Sequence, residues 1–415
     1  MKFFLNGYIF LFIYRPFEIY HFLEVIHLER LWMIAALCYY FFVGSARANR
    51  VFGLGAVGFF FTIMLFSGFM APNIKLWSTT VETYLKIGVF YFLLATSVEN
   101  EEIFFSILKA YIVVMFFYEA KSLHEYFFHG RVQFRMGISR LIGVDESGAD
   151  PNALAATINY SLPFAYVLYQ RAKDILQQRW WSKLLIGYLV LSAFCIFLTG
   201  SRAGAISIVV CTFFIWLRMQ HKFRWLFIFI ILAIISWNIL PYEKKIRLET
   251  IWNPDIVMEG IEGEKFMESA KISAQGRSEG FWDGVHLFLK SPILGFGAGN
   301  FIIARQQIRK IPLELQPHNL YGQLLGELGG LGVIAFCFLI YKIISLNLSV
   351  LRAKVPHLSP IAWASLTVIL LLLLNGFAGH NLYRYNWLWI AAFSSILFRL
   401  IQNRRSEQNQ LAPSS

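Results

Sequence analysis

The sequence predicts an all-α polytopic membrane protein, and three observations support that fold class. Apolar residues make up 57% of the 415-residue chain and charged residues only 15%, which is too apolar for a soluble protein of this length. Runs such as residues 226–237 and 366–374 are apolar at all but one position each, whereas the strands of a membrane β-barrel alternate. Each helical crossing needs about 20 mostly apolar residues, so the chain has room for about 12 transmembrane helices.

Twelve apolar segments are the candidate spans. In the topology that they give, the basic clusters between spans lie on one side of the membrane. The positive-inside rule makes that side cytoplasmic and places both termini there. This distribution also explains the net charge of +12 without nucleic acid as a partner. The candidate spans cover residues 2–14, 28–43, 52–69, 83–98, 102–120, 151–170, 183–199, 203–219, 223–241, 317–345, 360–378 and 385–402.

These spans divide the chain into four parts. An N-terminal transmembrane bundle of about nine spans covers residues 1–241, and a long loop on the non-cytoplasmic side covers 242–316, which the resemblance described below implies is periplasmic. Three C-terminal spans follow at 317–402, and a cytoplasmic tail ends the chain at 403–415. Loops as long as 242–316 are usually functional or disordered. Residues 277–290 in this loop have an amphipathic pattern, which predicts a helix on the membrane surface or over a cavity.

Three basic residues are candidates for chemistry on the non-cytoplasmic side. Arg202 joins two apolar spans through a very short turn, where the positive-inside rule disfavours arginine. Arg277 precedes the amphipathic segment. Two guanidinium groups on one face suit a pyrophosphate, because each can bind phosphate oxygens bidentately. The alternatives are an interfacial anchor for Arg202 and an ordinary solvated arginine for Arg277.

His318 lies where the tenth span enters the membrane, between Pro317 and Asn319. We expect Pro317 in the first helical turn, where its missing N–H costs nothing. A structural hydrogen-bonding role for His318 is the alternative to a catalytic one. Glu327, deeper in the span, is either functional or the partner of a buried arginine.

Glycines and helix caps have structural explanations. Gly322, Gly326 and Gly330 are spaced by four residues, which allows close helix packing. Asp150 and Pro151 predict the start of a helix, with Asp150 as its N-cap. The sequence shows no Cys/His spacing typical of a metal site, and we expect neither a metal nor a cofactor.

Five motifs follow one another between about residues 150 and 335. They are Asp150-Pro151-Asn152-Ala153-Leu154-Ala155, Thr199-Gly200-Ser201-Arg202-Ala203-Gly204, Arg277 with Trp282, Gly295-Phe296-Gly297-Ala298-Gly299-Asn300-Phe301, and Pro317-His318-Asn319 followed by Glu327-Leu328-Gly329-Gly330. This ordered set, with a long outer loop between Arg202 and His318, resembles the O-antigen ligase and O-antigen polymerase family of bacterial envelope glycosyltransferases.

The resemblance implies a GT-C-like membrane fold in the bacterial inner membrane, with the active site facing the periplasm. It implies that an undecaprenyl-pyrophosphate-linked glycan is the donor, and that lipid A-core or another glycan is the acceptor. His318, Arg202 and Arg277 would be the catalytic residues, and the two arginines would also bind substrate. We add four further candidates for substrate binding, namely Asn319, Tyr321, Glu327 and Arg384.

The sequence favours a metal-independent ligase and keeps two alternatives open. A polymerase of O-antigen or exopolysaccharide would share these motifs. A lipid-linked glycan transporter or flippase would also have about twelve spans, but it would be expected to carry repeated halves with ionisable residues at mid-membrane. Because the first nine and last three spans look unrelated, the sequence favours transport least.

Overall fold

In a computed structural model, the chain is nearly all-α. The structure describes residues 1–43, 50–135, 138–144, 149–174, 179–253, 261–309 and 316–411. The first helices in these ranges are α1 (Lys2–Tyr14), α2 (Pro16–Ile19), α3 (His21–Val25), α4 (Leu28–Cys38), α5 (Leu54–Phe66), α6 (Ile74–Ser97), α7 (Glu101–Phe128), α8 (Pro151–Asp174) and α9 (Arg179–Leu198). They are followed by α10 (Arg202–Arg218), α11 (Lys222–Ile239), α12 (Tyr242–Glu249), α13 (Ile261–Lys290), α14 (Phe301–Arg309), α15 (Leu320–Arg352), α16 (Ser359–Gly376) and α17 (Asn386–Leu411).

Each of the twelve candidate spans coincides with a helix, so the predicted helical class is confirmed. Helix α4 continues into a π-helical turn at Tyr39–Val43, and α5 continues into a 3₁₀ turn at Ser67–Met70. The sequence did not predict the antiparallel hairpin of β1 (Val132–Arg135) and β2 (Ile138–Leu141). Within the predicted loop, the amphipathic segment is the second half of the longer helix α13.

Among the described residues, five helices are long and apolar enough to cross a membrane. They are Glu101–Phe128, Trp180–Leu198, Lys222–Ile239, Leu320–Arg352 and Ser359–Gly376. Two shorter apolar helices cover Lys2–Tyr14 and Leu54–Met70. A membrane-embedded protein follows from these lengths and compositions. The count of about twelve spans and the periplasmic position of the loop stay predictions.

The chain forms two compact units. The first contains Met1–Leu5, Met33–Ser106 and Ala274–Ser415, and the second contains Asn6–Trp32 and Ile107–Ser273. Helices α1, α4, α7 and α13 therefore have residues in both units.

Helix α15 is the centre of the first unit and packs against α5, α16 and α17. The fully buried Trp387 of α17 lies edge-on to Phe336 of α15, with ring centroids 4.9 Å apart. In the same unit, α6 begins at an Asn73 cap, whose side chain accepts hydrogen bonds from Lys75 N and Leu76 N. The packing of α5, α16 and α17 thus gives α15 three helical neighbours.

Helix α8 is the centre of the second unit and packs against α9 and α10. Its first turn is capped as the sequence predicted, because Asp150 Oδ1 accepts hydrogen bonds from Asn152 N at 2.6 Å and Ala153 N at 3.0 Å. Helix α10 also contacts α11 and α12. The turn between α9 and α10, which contains Arg202, is thus surrounded by packed helices.

Candidate active site

Helix α15 is interrupted at Gly329, where φ is 62° and ψ is −160°. In a regular helix, the N–H groups of residues 330 and 331 would bond to the carbonyls of residues 326 and 327. Here the loop before α14 supplies both the donors and the acceptors, so that these four main-chain groups of α15 have partners outside the helix. The four replacement bonds are Gly330 N to Pro292 O (2.8 Å), Leu331 N to Ile293 O (3.1 Å), Phe296 N to Gly326 O (2.9 Å) and Gly297 N to Glu327 O (2.9 Å).

The glycine-rich turn of residues 295–300 fits against this break. A Cβ on Gly295 would lie 2.6 Å from the carbonyl oxygen of Glu327, and φ at Gly295 is +64°. Only glycine meets both requirements without strain. The glycine-rich residues thus form a structural turn, which serves as the partner of the broken helix.

Three glycines bring helix α13 into close contact with the start of α15. A Cβ on Gly322 would lie 2.9 Å from Phe281 Cα, and it would also overlap the carbonyl oxygen of Gly280. A Cβ on Gly284 would overlap the backbone of Gly322 in turn. The predicted close packing at Gly322 is thus confirmed, and its partner is helix α13.

His318 lies in the segment that precedes α15, and it is half-buried. Its φ of 43° is left-handed, which is uncommon for a residue other than glycine although histidine is enriched there. The expectation that Pro317 lies in the first helical turn is wrong, because α15 begins at Leu320. Asn319 is the N-cap, and its Oδ1 accepts hydrogen bonds from Tyr321 N at 2.9 Å and Gly322 N at 3.0 Å.

Helix α13 also contacts Pro317, the residue before His318. A Cβ on Gly280 would overlap the carbonyl oxygen of Pro317 and would lie 2.8 Å from its carbonyl carbon. Arg277 is half-buried on the same helix, three residues before Gly280 and so about one helical turn away. The first unit thus places the helix of Arg277 against the residue that precedes His318.

Two further predicted residues of the first unit, Tyr321 and Arg384, lie at the start of α15 and in the turn before α17. The His318 ring lies edge-on to the exposed His380 ring, with centroids 5.5 Å apart. Tyr321 donates its hydroxyl to Leu373 O at 2.9 Å and so ties α15 to α16. Arg384 is half-buried in the turn before α17, where its main-chain N–H donates to Asn381 O at 3.2 Å.

Glu327 is 2% exposed and receives three hydrogen bonds. Its Oε2 accepts from Gly299 N at 2.8 Å and from the Tyr383 hydroxyl at 2.7 Å, and its Oε1 accepts from the Gln323 amide at 3.3 Å. These partners are neutral, so the described residues do not support the alternative of a buried arginine partner. The carboxylate joins the glycine-rich turn to α15, and its predicted role in substrate binding stays a prediction.

An ion pair fixes α14 against α13. Arg305 Nε lies 2.5 Å from Asp283 Oδ2, with the two side chains 4% and 2% exposed. A second carboxylate, that of the more exposed Glu279, lies 3.5 Å from Arg305 Nη2. Because Asp283 and Glu279 flank Gly280 on α13, this pair helps to hold the helix that approaches Pro317.

In the second unit, Arg202 is the first residue of α10 and is half-buried. Gly200 has a φ of +57°, which reverses the chain between α9 and α10. Ser201 caps α10 by accepting a hydrogen bond from Gly204 N at 3.1 Å, and its hydroxyl donates to Asn152 Oδ1 at 2.7 Å. Arg202 Nη1 donates to Thr250 Oγ1 at 3.2 Å.

Three buried cations bind three consecutive carbonyls at the end of α9. Lys244 Nζ donates to Leu198 O at 3.0 Å, Arg140 Nε to Thr199 O at 2.7 Å, and Arg247 Nε to Gly200 O at 2.7 Å. Cationic groups at a helix C-terminus satisfy its last carbonyls and interact favourably with the helix dipole. The Arg202 turn is consequently surrounded by positive charge.

Among the described residues, one group of three side chains has metal-ligand chemistry. Donor atoms of His124, Glu125 and His129, at the end of α7, lie within 4.8 Å of one another. Glu125 is paired with Lys121 at 2.6 Å and with His129 at 3.4 Å. Since these ion pairs account for the arrangement, we assign no metal role to it.

The sequence interpretation missed several of these residues. Lys244 and Arg247 were overlooked, although both lie in the first basic segment after the ninth span. Gly276, Gly280 and Gly284 repeat every four residues, the spacing recognised at Gly322. That repeat could have identified α13 as the partner of α15. The Asp283–Arg305 pair joins residues 22 positions apart, and no local signal indicates it.

Part of the chain matches the model of a known protein family. Residues 187–337 match the family model of O-antigen ligase. The family that the sequence resembled is confirmed over these residues, and its members are glycosyltransferase-type enzymes of the ligase or polymerase kind. No curated protein matches the chain.

The matched segment includes most of the candidate site. Arg202, Arg277 and His318 all lie in it, as do the glycine-rich turn, Asn319, Tyr321 and Glu327. Arg384 lies beyond its end. The O-antigen ligase segment thus contains all three residues predicted to be catalytic, and the match supports ligase- or polymerase-type activity.

Proposed function

We propose that the protein is an O-antigen ligase-type glycosyltransferase. It would move a glycan from undecaprenyl pyrophosphate to a hydroxyl of lipid A-core at the periplasmic face of the bacterial inner membrane. The observation that carries this proposal is the O-antigen ligase match at residues 187–337, which contains Arg202, Arg277 and His318. The apolar helices support a membrane setting for a donor whose lipid lies in the bilayer.

The reaction forms one C–O bond and breaks another. The acceptor hydroxyl oxygen attacks the anomeric carbon of the glycan, and the bond from that carbon to the pyrophosphate oxygen breaks. Undecaprenyl pyrophosphate leaves with the electron pair of this bond, and the proton of the acceptor hydroxyl passes to His318. The donor is already activated, so the transfer needs no nucleotide.

Two kinds of groups lower the barrier in this proposal. Arg202 and Arg277 stabilise negative charge as it develops on the leaving pyrophosphate, a role whose loss typically costs about 10² to 10³ in rate. His318 acts as base or orients the acceptor, which contributes about 10² to 10⁴. Its half-buried position before α15, next to His380, supports a role in contact with substrate.

Other residues of the first unit support these groups. Asn319 caps α15 directly after His318 and fixes where the helix begins. Tyr321 and Glu327 lie in the first part of α15 and Arg384 lies in the turn before α17. We retain all three as candidates for contacts with the glycan or the acceptor.

A polymerase that extends one lipid-linked glycan with another is the alternative. Its chemistry is the same, since a glycan hydroxyl replaces the hydroxyl of lipid A-core. The family match supports ligase and polymerase alike. The acceptor that the purified protein uses is therefore the deciding property.

The test is transfer by the purified protein in liposomes, with an undecaprenyl-pyrophosphate glycan as donor and excess EDTA present. One reaction receives lipid A-core, and the other receives donor alone. Product on lipid A-core supports the ligase, and a ladder from donor alone supports the polymerase. Failure of both reactions with folded protein would contradict glycosyl transfer, and dependence on an added divalent cation would contradict the metal-independent mechanism.

A further inference from the structure

We infer that Thr250 and Arg247 are positioning residues that aim the Arg202 guanidinium. This inference rests on the proposed function, in which Arg202 binds the pyrophosphate of the donor. It assigns a role in the reaction to helix α12 and the residue that follows it. Both residues belong to the same unit as Arg202.

The three side chains form a closed ring of hydrogen bonds with the turn. Arg202 Nη1 donates to Thr250 Oγ1 at 3.2 Å, and that hydroxyl donates to the main-chain oxygen of Arg247 at 2.7 Å. Arg247 Nε donates to Gly200 O at 2.7 Å. Gly200 lies two residues before Arg202, so the ring returns to the backbone from which Arg202 projects.

Each member of the ring fixes a different degree of freedom. The bond from Arg247 to Gly200 O holds the left-handed turn and hence the start of α10. The Thr250 hydroxyl uses its proton on the Arg247 carbonyl, which leaves its oxygen lone pairs directed to Arg202. Thr250 thereby selects one orientation of a long side chain that otherwise has many rotamers.

Burial makes this ring rigid. Thr250 is 6% exposed and Arg247 is 8% exposed, and hydrogen bonds shielded from water are stronger than exposed ones. Gly200 also lies against the Arg247 side chain, since a Cβ there would be 3.4 Å from Arg247 Cδ. A guanidinium held in this way needs little rearrangement when charge develops on a phosphate.

Thr250 is the better residue for a test, because the loss of Arg247 would also remove the hydrogen bond to Gly200 O that holds the turn itself. Thr250→Val keeps the shape of the side chain and removes the hydroxyl, whereas Thr250→Ser keeps the hydroxyl. We expect Thr250→Val to lower kcat/KM for the lipid-linked donor by about 10- to 100-fold, because a shift of the Arg202 guanidinium by about 1 Å has an effect of this size. Thr250→Ser restores transfer to near the wild-type value.

The experiment is a double-mutant cycle with Arg202→Ala in the full-length protein in liposomes, with undecaprenyl-pyrophosphate glycan as donor. Thr212→Val, the same chemical change within α10, is the matched control. Thermal unfolding of every variant measures stability separately. If Thr250 acts through Arg202, Thr250→Val does not slow the residual transfer of the Arg202→Ala variant any further.

Two results would overturn the positioning role while leaving the proposed function in place. One is wild-type kcat/KM in Thr250→Val, and the other is an equal loss from Thr250→Val with and without Arg202. Wild-type transfer by Arg202→Ala alone would instead contradict the role of Arg202 in the proposed function, and the positioning role with it.

Discussion

Gly280→Ala is expected to impair transfer by moving His318. An ideal Cβ on Gly280 lies 2.8 Å from the carbonyl carbon of Pro317 and 3.1 Å from its Cα, whereas ordinary contacts begin near 3.4 Å. The carbonyl oxygen of Pro317 lies closer still, so helix α13 and the segment before α15 must separate by about 1 Å or more. Because His318 follows Pro317 directly, we expect a loss of about 10- to 100-fold in kcat.

The matched control is Gly276→Ala, one turn earlier on α13. A Cβ on Gly276 meets nothing within 4 Å, so this change gains about 0.8 to 1.0 kcal/mol of helix propensity without a clash. Gly280→Ala gains the same propensity but adds an overpacking cost of about 1 to 3 kcal/mol. The helix itself is therefore stabilised in both variants.

The assay is single-turnover transfer in liposomes, normalised to folded protein. We expect Gly276→Ala to transfer at the wild-type rate and Gly280→Ala to be slow. Wild-type transfer by Gly280→Ala would refute the reasoning that α13 sets the position of His318. Equal losses in the two variants would show instead that α13 needs flexible glycines.

Three further changes test the support of the site, each by unfolding in mixed micelles. Arg305→Met removes the partner of the buried Asp283 carboxylate and is expected to cost about 3 to 5 kcal/mol; a cost below 1 kcal/mol would contradict the importance of the pair. Tyr383→Phe removes one hydrogen-bond donor to Glu327 and is expected to lower the free energy of unfolding by about 1 to 3 kcal/mol. An unchanged stability would show that this hydrogen bond does not stabilise the fold. Asn319→Ala removes the cap of α15 and is expected to cost about 0.5 to 2 kcal/mol, with Asn319→Ser as the control that retains a cap.

The fold could be predicted to the level that hydropathy determines. Apolar runs and their lengths predicted a helix at each of the twelve positions, and Asp150 with Pro151 predicted the start of α8 because a cap is a local signal. The break at Gly329 could not be predicted in this way. It depends on an exchange of hydrogen bonds with residues 292–297, about 35 positions earlier in the chain.

For the candidate site too, local sequence signals could be predicted and nonlocal contacts could not. The resemblance of the ordered motifs predicted Arg202, Arg277 and His318 as catalytic residues, and all three lie in the matched segment. The start of α15 was misplaced because Pro317 was given weight over the stronger cap at Asn319. The contacts of Arg247 and Thr250 with the Arg202 turn are nonlocal, so they emerged only from the structure.

The most direct test of the central claim is single-turnover transfer from undecaprenyl-pyrophosphate glycan by His318→Ala beside His357→Ala. His357 lies in the connection between α15 and α16, away from the proposed chemistry in the sequence. The account predicts that His318→Ala slows transfer by about 10² to 10⁴ and that His357→Ala leaves it unchanged. Transfer by His318→Ala at the wild-type rate would contradict it.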